Sequence, residues 1–251
     1  SMLPWNNELH YRDGSTGRFV DVTADPGTPA FEALWEPFLT DFTGHLREKG
    51  WLGRTNIAMD ERSPEEMTDA LGLLRKTAPE LGIAMADNKN SYLNYPFINS
   101  MCVKVRDRVP PQHIAERRAQ GFITTYYVCC SDRFPNMFTF SAPAEAVYAG
   151  WYTAACGYDG FLRWAYNSWV GEPLTDPRFR TFPAGDTYII YPGARSSVRF
   201  ERLVEGIQDA EKISILKKEF AAKGTPEAAS RLEQLETLLS GFATITPEKG
   251  W

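Results

Sequence analysis

Hydrophobic and polar positions alternate along this chain in two periods. Residues Phe31, Leu34, Trp35, Phe38, Leu39, Phe42 and Leu46 recur at helical spacing, which predicts an amphipathic helix from about Phe31 to Lys49 that stops at Gly50. Ser63, Pro64 and Glu66 form a capping-box start for a second helix with Leu71 and Leu74 inward. Pro111 to Gln120, Pro143 to Cys156, Ser197 to Ala222 and a segment opened by Thr225-Pro226-Glu227 read as further helices. Short apolar or β-rich runs lie between them, near Ile57, Ala84, Val103, Tyr126 and Arg163. His10 to Val22 reads as a hairpin turning at Asp13 to Gly17. Beyond that hairpin, strand and helix alternate, a pattern that implies a parallel sheet with crossover helices. Five strands are visible where a closed barrel needs eight. Either some strands are cryptic or the first part of a barrel is missing.

Composition narrows the partners. The chain has 251 residues, 27 Lys plus Arg against 32 Asp plus Glu, and a formal charge of -5. No basic block stands out, which argues against nucleic acid. No apolar run approaches the roughly 20 residues that cross a bilayer, so membrane insertion is not expected. No leader is visible, and Ser1-Met2 reads as an expression remnant. Cys102, Cys129, Cys130 and Cys156 have no metal-ligand spacing and read as buried free thiols. With only His10, His45 and His113, neither a histidine metal site nor a Ser-His triad is expected, and no cofactor is implied. Aromatic residues make up 13% of the chain, enough to serve both a core and a sugar site.

Three stretches carry candidate chemistry. Asp60-Glu61 falls where a strand gives way to a capped helix, the end at which α/β folds gather their active sites. Two close carboxylates do not both ionise freely, and one that keeps its proton can act as a general acid. The plainer reading is a solvated helix approach with either acid paired to Arg62. Trp164, Tyr166, Asn167 and Trp169 end the next informative strand. Their rings and amide suit a sugar, or else cap a core. Tyr126 and Tyr127 on the preceding strand point to opposite faces, so one of them enters a barrel, and the sequence leaves open which. Asp186 to Gly193 reads as an extended loop, either a structural lid or a ligand contact. Glu201, Arg202, Glu205 and Asp209 read as the solvated face of a helix.

At these residues the chain resembles family 123 of the glycoside hydrolases. The motifs that carry the resemblance are Phe42 to Trp51 (FTGHLREKGW), Ile57 to Arg62 (IAMDER), Gly160 to Trp169 (GFLRWAYNSW), Gly185 to Gly193 (GDTYIIYPG) and Ser196 to Gly206 (SSVRFERLVEG), within a span from Trp5 to Leu216. The resemblance implies a (β/α)8 TIM-type barrel. It is expected to be incomplete here, with strands four to eight starting after Leu3-Pro4-Trp5. Residues 1–222 would form the barrel portion and 223–251 a helical extension. It also implies an exo-β-N-acetylgalactosaminidase acting on glycans with a terminal N-acetylhexosamine. Such enzymes work by substrate-assisted retention, in which the 2-acetamido oxygen attacks the anomeric carbon to give an oxazoline. Asp60 would then orient the acetamido group and Glu61 would serve as acid and base. Residues with Cα atoms about 3.8 Å apart do not easily straddle a glycosidic bond, which suits that mechanism. The resemblance further implies a bacterial enzyme of periplasmic or extracellular location, an activity that the isolated portion need not retain, and an open strand edge near Asn56 to Met59 prone to self-association. A family 20-like β-N-acetylhexosaminidase and a non-catalytic carbohydrate-binding or scaffold domain are the alternatives.

Overall fold

The computed structural model describes residues 2, 7–87, 93–179, 181–244 and 246–249. Leu3-Pro4-Trp5, where the barrel portion was expected to begin, lies outside the described residues. The chain divides into two compact units, residues 1–102 and 103–251.

The first unit opens with the predicted hairpin, β1 (Glu8–Arg12) paired antiparallel with β2 (Phe19–Thr23). Its turn is organised by Asp13, whose Oδ1 accepts from the Ser15 amide at 2.7 Å and from the Ser15 hydroxyl at 2.6 Å. These bonds favour the ionised carboxylate and lower its pKa. Helix α1 (Pro29–Glu48) buries Phe31, Trp35, Leu39 and Leu46 and packs on α2 (Pro64–Thr77). The capping box of α2 is present: the Glu66 amide donates to Ser63 Oγ at 3.2 Å, and the Ser63 amide to Glu66 Oε2 at 3.2 Å. Strands β3 (Asn56–Met59) and β4 (Gly82–Asp87) pair in parallel, Ile57 beside Ile83 and Met59 beside Met85. Those four side chains are buried, and the alternate residues Ala58 and Ala84 are more open. Met2 is also fully buried, and its amide donates to Ala58 O at 3.1 Å. Met2 thus packs beside β3.

Strand β5 (Ser100–Lys104) contains the boundary between the units. The second unit continues with α3 (Pro111–Ala119), β6 (Ile123–Val128), the short β7 (Asp132–Phe134), α4 (Pro143–Cys156) and β8 (Gly160–Arg163). Helices α5 (Val198–Lys223) and α6 (Pro226–Ala243) follow, and β9 (Glu248–Lys249) pairs with β7. The strand order is β3-β4-β5-β6-β8 in one five-stranded sheet, with β6 and β8 parallel in the register Tyr126–Phe161. Among the described residues these are the five strands read from the sequence.

Gly150 and Gly206 let α4 and α5 approach backbone to backbone: a Cβ on Gly150 would sit 1.9 Å from Gly206 O. Tyr148 donates its hydroxyl to Phe242 O at 2.9 Å, and Trp151 packs on the Phe242 ring. Residues of α6 are thus packed against α4 within the second unit.

Candidate active site

In the first unit β3 ends at Met59, and Asp60 and Glu61 follow it directly, before Ser63 caps α2. The Glu61 amide donates to Asp60 Oδ1 at 2.8 Å. The chain leaves β geometry at the point where both carboxylates would need to leave opposite faces of the strand. Asp60 is half-buried and Glu61 exposed. Arg62 next to them is only partly exposed, and its Nε and Nη2 are buried with no hydrogen-bond partner. The predicted capped turn is therefore present, but no Arg62 hydrogen bond at those two nitrogens accounts for the acids.

In the second unit the sequence-predicted residues divide into two groups. Tyr126 is fully buried. Its hydroxyl donates to Ala149 O of α4 at 2.7 Å, and its ring packs on Tyr152, Tyr158 and Phe161. Burial pushes its pKa well above the ordinary tyrosine range. Tyr126 is thus the member of the pair that faces the helices, and strand alternation turns Tyr127 to the other face.

Trp164, Tyr166, Asn167 and Trp169 are brought together on one segment after β8, all exposed. It runs beside residues 186–191: Asn167 bridges antiparallel to Tyr188, the Ser168 amide donates to Thr187 O at 3.0 Å, and the Ile189 amide donates to Tyr166 O at 3.0 Å. The loop read as Asp186 to Gly193 is therefore the backbone partner of the aromatic segment. Trp164 donates Nε1–H to Asp186 Oδ1 at 3.2 Å, and Trp169 donates to Ile190 O at 2.7 Å.

Beneath this rim lies a group of buried charges whose pairing the sequence did not reveal. The Arg163 and Asp186 side chains are 4% and 0% exposed and pair at 3.0 Å. Burial raises the Asp186 pKa, opposed by the Arg163 charge, and the same burial lowers that of Arg163, opposed by Asp186. Asp132, also fully buried, holds Arg106 Nε at 2.7 Å and the Cys129 amide at 2.9 Å. Lys104 donates to Ser131 Oγ at 2.6 Å. Burial, reinforced by Cys129 and Asp186, pushes the Cys130 thiol up to about 11. All four cysteines are free. Cys102 and Cys156 are buried as expected, whereas Cys129 and Cys130 are only partly so. Arg163 and Asp186 fall inside two stretches already singled out in the sequence, but their pairing becomes visible only once both are buried.

Two cavities, of about 720 and 670 Å³, lie in the second unit, and none of the predicted site residues lines either. Among the described residues no cluster of His, Cys, Asp and Glu is placed to hold a metal ion. No described helix is long and apolar enough to cross a membrane. Asp209, read as part of a solvated face, is partly covered and accepts from Trp151 Nε1 at 3.1 Å.

Residues 1–216 match the model of the glycoside hydrolase 123 catalytic domain. The chain is similar to the structure of a family 123 glycoside hydrolase from Clostridium perfringens, analysed for the details of glycolipid glycan hydrolysis. The TM-score is 0.81 at 28% identity, over 96% of this chain and 43% of that one. The chain thus spans under half the length of that relative. No curated protein matches it.

Proposed function

The chain belongs to glycoside hydrolase family 123, and from that premise we propose that it supplies the acid-base machinery of an exo-β-N-acetylgalactosaminidase working by substrate-assisted retention. The observation that carries this reading is the position of Asp60 and Glu61, directly after the C-terminal end of a parallel strand and inside the family match. Asp60 Oδ1 is engaged by the Glu61 amide. Its Oδ2 can take the acetamido N–H and leave the acetamido oxygen free to attack the anomeric carbon. The exposed Glu61 protonates the departing oxygen and then removes a proton from the water that opens the oxazoline. No protein nucleophile is needed, which suits two carboxylates that are neighbours in sequence.

On this reading the five strands are strands four to eight of a (β/α)8 barrel, and their C-terminal ends carry the chemistry. Within the second unit, Trp164, Tyr166, Asn167 and Trp169 offer exposed rings and an amide of the kind that suits a sugar. The substrate is a terminal N-acetylhexosaminide, with glycolipid glycans a fitting class because the Clostridium perfringens relative was analysed for their hydrolysis. An exported location goes with such a substrate.

The test is hydrolysis of fluorogenic β-N-acetylgalactosaminide and β-N-acetylglucosaminide by the chain and by Glu61→Gln, together with binding of an N-acetylgalactosamine thiazoline, which mimics the bicyclic intermediate. Thiazoline binding kept in Glu61→Gln with hydrolysis lost supports the proposal. Full activity in Glu61→Gln, or no thiazoline binding by the wild-type chain, sinks it.

A further inference from the structure

We infer that Asp186 and Arg163 are positioning residues that lock the Trp164 indole as a fixed wall for the C–H face of a sugar ring, an inference that rests on the glycosidase reading and deepens it. A half-exposed indole can satisfy its N–H with water at little cost. Trp164 instead, 39% exposed, donates to a carboxylate that is fully buried. The carboxylate oxygen it meets, Asp186 Oδ1, also accepts from Arg163 Nη2 at 3.0 Å, and the same guanidinium donates to the Asp186 carbonyl. The Trp164 ring also meets Phe182 in a T-shaped contact, with centroids 5.4 Å apart at 77°.

As a stabilising device the pair is poor. Asp186 Oδ2 and Arg163 Nε are buried without hydrogen-bond partners, and a buried ion pair is often no better for stability than an apolar replacement. Its cost is accounted for by what it holds in place. Trp169 repeats the arrangement five residues on, its N–H tied to Ile190 O and its ring 45% exposed. An indole whose N–H is already spent has no donor to offer a ligand. It presents only its π face, which accepts the polarised C–H bonds of a pyranose and discriminates against ligands that need a donor.

The experiment compares the wild-type chain with Arg163→Met/Asp186→Leu, which removes both charges together and leaves neither stranded, and with Asp186→Asn as a near-isosteric second variant. Each is also made with Trp164→Ala. Binding of N-acetylgalactosamine is followed by tryptophan fluorescence, and the Trp164 contribution is isolated by difference from a matching Trp164→Phe chain. Circular dichroism reports folding. In the double variant the Trp164 emission is expected to shift to the red, and sugar affinity to fall roughly tenfold, the scale of one good aromatic contact. Adding Trp164→Ala should then cost nothing more, because the two changes remove one interaction. Unchanged Trp164 emission, or losses that multiply, overturns the inference while hydrolysis by the wild-type chain leaves the glycosidase reading standing. A wild-type chain that binds no sugar overturns both.

Discussion

At the scale of single residues, the decisive chemistry lies in whether a carboxylate has somewhere to send a proton. Glu61 is exposed beside a half-buried Asp60 whose Oδ1 is occupied by the backbone. Loss of a general acid costs about 10²–10⁴-fold. Glu61→Gln should therefore fall by that much on substrates with alkyl leaving groups, and by less on aryl glycosides that depart without help. Equal losses on both would show that Glu61 does not protonate the leaving group. A titration is visible at His10, whose Nδ1 lies 2.6 Å from Asp21 Oδ1 across the β1–β2 hairpin. The hydrogen bond to Asp21, then its charge, raises the His10 pKa. The bonus to the hairpin is then fully present below the ordinary histidine value of 6.5 and is lost as pH rises through the raised one. NMR titration should find the elevated value in the wild type and the ordinary one in Asp21→Asn. An identical titration in both would remove the pairing. The sequence marks Asp60, Glu61 and the exposed aromatics as candidates because strand ends and acidic pairs are local patterns. It did not disclose the pairing of Asp186 with Arg163, 23 residues away, which becomes significant only once both are buried together.

At the scale of elements, what was legible depended on whether the signal was local. The capping box of α2 and the apolar face of α1 are written in residues three and four apart, and both formed as read. Ser63→Ala should cost about 1 kcal/mol by leaving the Glu66 amide without its acceptor. Chemical denaturation would show this as a lower midpoint at constant slope. Tyr126 and Tyr127 could not be told apart by alternation alone. The missing information was which face meets α4, and it comes from a contact 23 residues away, Tyr126 to Ala149. The glycine contact between α4 and α5 was equally silent, since Gly150 and Gly206 have no shared pattern in sequence. A Cβ on Gly150 meets backbone, which cannot swing aside as a side chain would. Gly150→Ala should therefore force the helices apart at a cost of about 1–3 kcal/mol. Gly171→Ala, which meets nothing within 4 Å, is the matched control. Equal melting temperatures for the two would mean that the crossing is looser than described.

At the scale of the molecule, the matter to resolve is what completes the sheet. Strand β8 ends the strand order, and Leu162 on it is 42% exposed, an unusual state for a large aliphatic side chain in a parallel sheet, where both faces are normally covered. At the other end of the order, the Met2 amide donates to Ala58 O on β3. An edge of this kind offers unpaired amides and carbonyls to another strand. The structure of the relative is more than twice the length that this chain covers. If neighbouring strands of a barrel normally lie against β8, the chain by itself should seek a substitute. It is then expected to associate in sedimentation velocity, with a sedimentation coefficient that rises with concentration. Leu162→Lys should suppress the association by placing a charge where an incoming strand would pack, without disturbing the fold, since the position is already open to water. The same substitution in a chain whose barrel is closed would instead bury that lysine and destabilise it. A chain that stays monomeric at every concentration, and tolerates Leu162→Lys with no change in either association or stability, would mean that β8 is a natural edge and that the five strands form an open sheet rather than part of a barrel.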